Sequence, residues 1–300
     1  MTETETPTRD TEFNEAPPRA NELKRFFRVM FGRGVVVFGV VVILISVTVA
    51  VFAPLIAPYH PYDQDLDNVL REPSGKHLLG TDYIGRDLFS RIIYGARTAL
   101  LIGVITVSVA SVIGMTMGLI AGYYGGWAYA VIMRFIDTLM AFPMILLALV
   151  IASLLGGGIR NIIIALCISL LPAYARLMCG QVLSVKENDY VLAGRAMGAS
   201  NLRIMLRHVL PNCFPPLIVL MTMMMGMTIL AEAGLSFLGI GVAPPAAAWG
   251  SMVNDGYEYV YTHPILSFAP GFAIMLVVLS FNMVGDGLRD TLDPRLRGKI

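Results

Sequence analysis

The sequence predicts an all-α integral membrane protein with six transmembrane helices, on three observations. Of its residues 56% are hydrophobic and only 14% charged, against about 25% charged in an ordinary soluble domain. The apolar residues are gathered into uncharged runs of about 20, the length that crosses a bilayer. Most lysines and arginines fall at the ends of alternate runs, which orients the chain.

Residues 1–33 read as a polar cytoplasmic tail, because Lys24, Arg25, Arg28 and Arg33 precede the first apolar run. That run, residues 34–53, carries no charge and forms the first transmembrane helix. It is too long for the h-region of a signal peptide, so no cleavable signal is expected. Residues 54–98 follow as an external or interfacial segment. Arg71, Lys76, Arg86, Arg91 and Arg97 argue against that side, and Asp63, Asp65, Asp67, Glu72, Asp82 and Asp87 offset them. This segment either braces a substrate entrance, meets an external protein, or is a fixed scaffold; its composition does not decide.

No charge occurs between Arg97 and Arg134, a stretch too long for one span. Gly122-Tyr-Tyr-Gly-Gly-Trp127 divides it into spans near 99–121 and 129–155, and Gly156-Gly-Gly158 closes the second. Arg134 and Asp137, one turn apart, read as a local ion pair that eases insertion. The fourth span covers about 161–183, the fifth 212–237 and the sixth 264–285. Pro143, Pro172 and Pro270 fall inside spans, where neighbouring groups can re-satisfy the backbone. Residues 99–288 thus form a five-helix core. The loop 239–263 has no lysine or arginine, as an external loop should. Arg289, Arg295, Arg297 and Lys299 place the tail 289–300 on the cytoplasmic side with the N-terminus.

The segment 184–211, between spans 4 and 5, does not look like an ordinary loop. Tyr190, Ala193, Gly194 and Met197 recur at i, i+3, i+4 and i+7, as do Leu202, Met205, Leu206 and Val209. Gly198 falls at the break, where a helix C-terminus favours glycine. Ser200 or Asn201 can cap the second half, and Pro211 ends it or begins the next helix. Two short amphipathic helices at a membrane surface suit the docking of a cytoplasmic partner. Arg203 and Arg207, one turn apart, are candidates for an acidic groove on that partner, and Ala193 for close packing in it. As solvated charges and ordinary helix composition they would do nothing specific.

Within span 5, Glu232 either faces a translocation path or caps a partner helix. Met221, Met223, Met224, Met225 and Met227 cover all faces of the same span. Met224 and Met227 are candidate path residues, and plain packing is the competing reading. Asp286 and Arg289 read as a structural pair. Cys167, Cys179 and Cys213 lie in or beside apolar runs at no metal-ligand spacing, and His60, His77, His208 and His263 are scattered. No catalytic, cofactor or metal site is expected, and the net charge of +1 gives no reason to expect nucleic acid. There is no Gly-x-x-x-x-Gly-Lys-Ser/Thr loop to cradle ATP phosphates.

The segment after span 4 resembles the Glu-Ala-Ala motif of ABC importer permeases. The motif begins at Leu192-Ala193-Gly194, its glycine falls on Gly198, and it ends on His208, Val209, Leu210 and Pro211. Leu192 stands for the glutamate, Gly194 for the second alanine and His208 for the isoleucine, as in the peptide-importer variant. Three further blocks agree: His77 to Arg91, Leu235 to Gly241 with Pro244, Pro245, Trp249 and Gly250, and Phe281 to Arg295. Together they are similar to the C-type permease subunit of dipeptide, oligopeptide and nickel ABC importers, over roughly residues 25–298.

That resemblance implies a type I importer permease fold with cytoplasmic coupling helices, in a bacterial or archaeal plasma membrane. It implies a homologous B-type permease, two ATPase subunits holding the ATP and magnesium, and an extracytoplasmic substrate-binding protein. The coupling residues it implies are Ala193, Gly194, Gly198, Arg203, Arg207, His208, Leu210 and Pro211. The cargo would be a di- or oligopeptide, with glutathione, nickel chelates and other small solutes as alternatives. A secondary transporter would instead carry its own ion site at mid-span. An intramembrane enzyme would need a base at membrane depth, where no histidine lies. A pure scaffold would not need the amphipathic pair.

Overall fold

The computed structural model describes residues 22–292, which are mainly helical, with one isolated antiparallel bridge between Thr81 and Asp87. Residues 1–21 and 293–300 lie outside the described residues, Arg295, Arg297 and Lys299 among them. The helices are α1 Glu22–Phe31, α2 Gly34–Val51, α3 Ala53–Ile56, α4 Leu88–Tyr124, α5 Gly126–Met140, α6 Met144–Leu155, α7 Ile159–Val185, α8 Asp189–Ala196, α9 Asn201–Ile204, α10 Leu210–Phe237, α11 Trp249–Tyr257 and α12 Ile265–Leu292. Five are long and apolar enough to cross a membrane, and six if α5 and α6 count as one bent span.

Four boundaries differ from expectation. The polar tail contains helix α1, which packs along α12. The second span begins at Leu88, not near 99, because Asp87 accepts from the Ser90 amide at 2.8 Å and caps the helix. Arg91 and Arg97 end the uncharged run but do not end the helix. The third span breaks by 89° between Met140 and Met144. Pro143 there is extended and starts α6, since a proline inside a helix loses a donor and clashes with the preceding turn. Pro172 and Pro270 do stay inside their helices. Finally, the loop 239–263 contains α11, whose Trp249 indole donates to the Ile92 carbonyl at 3.0 Å.

Lipid is as apolar as leucine, so membrane helices associate through close packing of small residues. The tightest seam here joins α4 to α7. Gly114, Gly118 and Gly122 fall at four-residue spacing along α4. A methyl group added at each would lie 2.7 Å from Tyr174 Cβ, 2.3 Å from the Ala175 carbonyl oxygen and 2.8 Å from Val182 Cβ. The rest of the core is a cluster of buried side chains from α4, α7, α10, α11 and α12, including Leu100, Leu170, Ile229, Met252 and Phe281.

At the upper end of the bundle, residues 57–87 form a folded cap rather than a loosely charged loop. Arg86 and Arg91 are 5% and 2% exposed. Arg86 Nε donates to Asp82 Oδ2 at 2.6 Å, Arg91 Nε lies 3.7 Å from the same oxygen, and Arg86 Nη2 lies 3.8 Å from Asp255 on α11. These arginines dissent from the positive-inside pattern because they are consumed inside the protein. Burial pushes the Asp255 carboxyl above the usual carboxylate range, against the pull of Arg86 and Arg91. Its proton is therefore held more tightly in the folded chain, so this group costs stability above its raised pKa and favours the fold as pH falls through it. Arg86→Ala takes from Asp82 its close cation and leaves it the more distant Arg91 and the amides of residues 84 and 86. It is expected to cost about 3 kcal/mol, the low end for breaking a buried pair, read as a lowered thermal midpoint in detergent.

At the lower end, Arg33 pairs with Asp290. The expected Asp286–Arg289 pair does not form, and Arg289 instead borders a cavity of about 530 Å³ between α7, α10 and α12.

Candidate functional site

The segment after α7 folds against the lower ends of α4 and α7. Val191 and Gly194 of α8, Ile204 of α9, and Met205 and Val209 are buried. Their apolar members join Met115, Leu119, Tyr123, Met178, Val182, Cys213 and Leu217 in one cluster. Polar contacts add to this. Lys186 Nζ donates to the Gly122 carbonyl at 3.2 Å, the Tyr123 hydroxyl donates to Asn201 Oδ1 at 2.9 Å, and the Arg195 guanidinium lies 5.2 Å from the Tyr123 ring centre. Sequence reasoning missed this tether. Its signal is the polar-aromatic Gly-Tyr-Tyr at the end of α4, which served only as a span boundary.

The bend sits where glycine was expected. Gly198 has φ +77, a conformation that costs other residues steric strain. The Ala199 amide donates to Gly194 O at 3.1 Å and Gly198 N to Arg195 O at 2.9 Å, satisfying carbonyls at the end of α8 as a Schellman-type cap does. Ser200 Oγ then accepts from the Arg203 amide at 3.4 Å and starts α9. The second short helix is not separate from the fifth span. It runs through a wide π-turn, Met205–Val209, into α10, and Pro211 occupies the first turn of α10, where no amide donor is needed.

The faces are shifted from those the periodicity selects. Tyr190, Ala193 and Met197 point outward, as do Leu202 and Leu206, while Val191 turns inward. Met197 is 82% and Leu202 61% exposed. Arg203, Arg207 and Pro211 are exposed, and His208 and Leu210 are half-buried. The His208 carbonyl accepts from Asn212 Nδ2 at 2.6 Å. The lower end of the bundle therefore presents a surface that mixes uncovered apolar side chains with Arg195, Arg203 and Arg207.

The candidates in α10 lie apart from this surface. Glu232 is 1% exposed and accepts from Ser236 Oγ at 2.7 Å. Ser236 Oγ in turn accepts from the Val242 amide at 3.1 Å. Glu232 thus ties the end of α10 to the chain that follows it. Met224 is half-buried against the main core, and Met227 is 42% exposed. Met223 lies against Gly285 and Met225 against Gly103, so packing occupies much of the methionine run. Arg134 and Asp137 do not form the expected local pair. Asp137 bonds instead to Arg176 of α7 at 2.5 Å, because the neighbouring helix brings a closer cation than the same helix does.

Tyr123→Phe keeps the ring over which Arg195 stacks and removes only the bond to Asn201. It is expected to cost about 1 kcal/mol and to speed amide hydrogen exchange in residues 199–205 selectively.

A multi-helix bundle with five or six membrane-length helices and an uncovered, glycine-bent segment between α7 and α10 defines an integral membrane protein. Residues 114–298 match the family described as binding-protein-dependent transport system inner membrane component, and residues 22–73 match the N-terminal transmembrane domain of oligopeptide transport permease C. The chain is 40% identical over 301 residues to the dipeptide transport system permease protein DppC of Alkalihalophilus pseudofirmus, covering 99% of each. It is 42% identical to the glutathione transport system permease protein GsiD of Pectobacterium atrosepticum over 91% of each chain, and 43% identical to that of Escherichia coli over 85% of each. Among solved structures, the inward-facing MetNI methionine ABC transporter superposes with a TM-score of 0.54 at 20% identity, covering 67% of this chain and 96% of that one. That likeness is one of fold.

The chain therefore belongs to the binding-protein-dependent transport system inner membrane component family. It is a C-type permease subunit of an ABC importer of the peptide and nickel group.

Proposed function

We propose that this chain pairs with a homologous B-type permease to enclose a path for di- or oligopeptides, and that two partner ATPase subunits drive it. In this reading ATP and magnesium are held by those partners, and an extracytoplasmic binding protein delivers the cargo. The lower end of the bundle and both termini face the cytoplasm of a bacterial or archaeal cell, and the 57–87 cap faces outward. The single observation that carries the coupling role is the uncovered surface of α8 and α9, hinged at Gly198 and tethered to α4 and α7. Arg203 and Arg207 supply charge for an acidic groove on the ATPase, and Ala193 and Met197 supply apolar contact. Gly194, His208, Leu210 and Pro211 join that surface to α10. Closing of the ATPase dimer pushes on α8. The tether passes the movement to α4 and α7, and the unbroken α9–α10 rod passes it to the fifth span, so the paired permeases rock between two states. Met224 and Met227 remain candidates for the path, whereas Glu232, buried and bonded to Ser236, serves the fold.

Peptide cargo is supported by the dipeptide and glutathione permeases to which the chain is similar. The test is ATP-dependent uptake in proteoliposomes that hold this chain with its partner permease, ATPases and binding protein. The panel is di- to hexapeptides, glutathione and a nickel chelate. Uptake of one class, lost without the ATPases, establishes the importer and its cargo. Binding-protein-stimulated ATP hydrolysis with no uptake of any member rejects the peptide assignment.

A further inference from the structure

Asp137 of α5 and Arg176 of α7 form an ion pair whose side chains are 50% and 55% exposed. Its depth follows from helix geometry. Lys186 is bonded to Gly122, so the lower ends of α4 and α7 lie at one level. At 1.5 Å per residue, Arg176 stands roughly 14 Å along the axis above Val185, and Asp137 roughly 16 Å beyond Gly126. With the lower ends of these helices set at the rim of a hydrocarbon layer about 30 Å thick, the pair lies well inside the membrane. The face around it is equally uncovered. Arg134, Asp137 and Thr138 are exposed on α5, and Arg176, Gly180 and Ser184 on α7.

Lipid does not tolerate such a face. Ionisable groups at membrane depth turn toward a protein interior or a water-filled cavity, and they mark substrate and ion pathways. A second, independent feature points the same way. Three residues after Asp137 the helix ends, and the backbone turns by 89° before α6. Irregular backbone at membrane depth survives only inside protein or along water.

We propose that Arg134, Asp137 and Arg176 form a carboxylate-binding station on the wall of the translocation path. Among the described residues Asp137 has Arg176 as its ion-pair partner, while the Arg134 guanidinium has no carboxylate within ion-pair distance. Two guanidinium groups stand against one carboxylate, and that carboxylate is taken by Arg176, so the face carries one uncompensated positive charge. Guanidinium binds carboxylate through charge-assisted, often paired hydrogen bonds. The group it takes is the terminal carboxylate that di- and oligopeptides and glutathione all carry, and the proposal rests to that extent on the peptide-importer reading. Asp137 competes for Arg176, so the incoming carboxylate exchanges with a ligand already present. A transient station suits passage better than a tight site.

The test uses the whole importer in proteoliposomes with saturating binding protein and dialanine as cargo. Arg176→Gln and Arg134→Gln are each expected to lower uptake at least about tenfold, the loss of one hydrogen bond to a charged group, with binding-protein-stimulated ATP hydrolysis retained. Arg176→Lys recovers part of the uptake. In the exchanged pair, Asp137→Arg with Arg176→Asp, a merely structural ion pair is restored. Uptake that stays low therefore supports the station, and full recovery overturns it.

Thiol labelling separates this idea from the peptide reading. Gly180→Cys, one turn from Arg176 on the same exposed face and with nothing within 4 Å of its Cβ, keeps all three charged groups and is expected to react in the nucleotide-free complex with membrane-impermeant methanethiosulfonates. The anionic sulfonatoethyl reagent should react faster than the cationic trimethylammonium one, and millimolar dialanine should slow both. The native cysteines are buried and stay silent. No labelling by either reagent would place the face against the partner permease and overturn the station. If the unaltered complex moves no peptide, the cargo assignment fails, and faster labelling by the anionic reagent still decides for the station.

Discussion

Gly118→Val is expected to prevent the chain from accumulating as a folded membrane protein. A Cβ at this position lies 2.3 Å from the Ala175 carbonyl oxygen, 2.8 Å from Met178 Cβ and 3.0 Å from the Cys179 amide nitrogen. Two of these three are backbone atoms of α7 and cannot swing away. Relief requires α4 and α7 to move apart along their whole seam, which also opens the contacts at Gly114 and Gly122. Overpacking of a close interface costs about 1–3 kcal/mol, and contact with rigid backbone on this scale puts the loss at or above the top of that range. The measurement is the monodisperse fraction in detergent by fluorescence-detected size exclusion. Gly180→Ala on α7 is the control, since a Cβ there meets nothing within 4 Å. Equal recovery of Gly118→Val and the control would mean that α4 and α7 do not pack as closely as described.

The second large effect is of a different kind. Gly198→Val should leave accumulation and basal ATP hydrolysis of the assembled importer intact while lowering peptide uptake by about tenfold or more. Nothing lies within 4 Å of a Cβ at Gly198, so the residue makes no steric demand on its surroundings. Its φ of +77 is the demand. A β-branched residue there costs about 1–3 kcal/mol, which shifts the bend between α8 and α9 by about 5- to 150-fold in population. The tether through Lys186 and Tyr123 holds the segment to the bundle, so the damage is confined to the angle at which it is presented. Gly198→Asn, which enters left-handed backbone more easily, should retain intermediate uptake. Unchanged uptake in Gly198→Val would show that transport does not depend on this bend.

The two predictions differ in how they could be anticipated. Gly198 was legible because a helix end, a cap and a flanking periodicity are local, and all three lie within about a dozen residues. The small-residue spacing of Gly114, Gly118 and Gly122 was also present in the sequence, but an uncharged run alone does not say which face of a helix meets a neighbour. The same limit explains the shifted faces of α8. Periodicity groups Tyr190, Ala193, Gly194 and Met197, yet of these only Gly194 is buried, and Val191 turns inward because Ile204 and the lower ends of α4 and α7 receive it. The start of α4 was misplaced because Arg91 and Arg97 interrupt the apolar run. Only the folded cap supplies Asp82 and the Pro61 carbonyl, to which Arg91 Nη1 donates at 3.1 Å.

Composition and local pattern by themselves determined that this chain is a helical membrane protein, roughly where it crosses, and where the glycine-dependent bend between α8 and α9 lies. These depend on transfer into lipid and on backbone geometry, which act residue by residue over one or two helical turns. Which charge pairs with which was decided only by the tertiary structure. Asp137 chose Arg176 over Arg134, and Arg86 joined Asp82 to Asp255 across more than 160 residues of chain. An ion pair inside a low-dielectric bundle is set by which groups the packing of distant helices brings within a few ångströms, and sequence spacing carries no record of that distance.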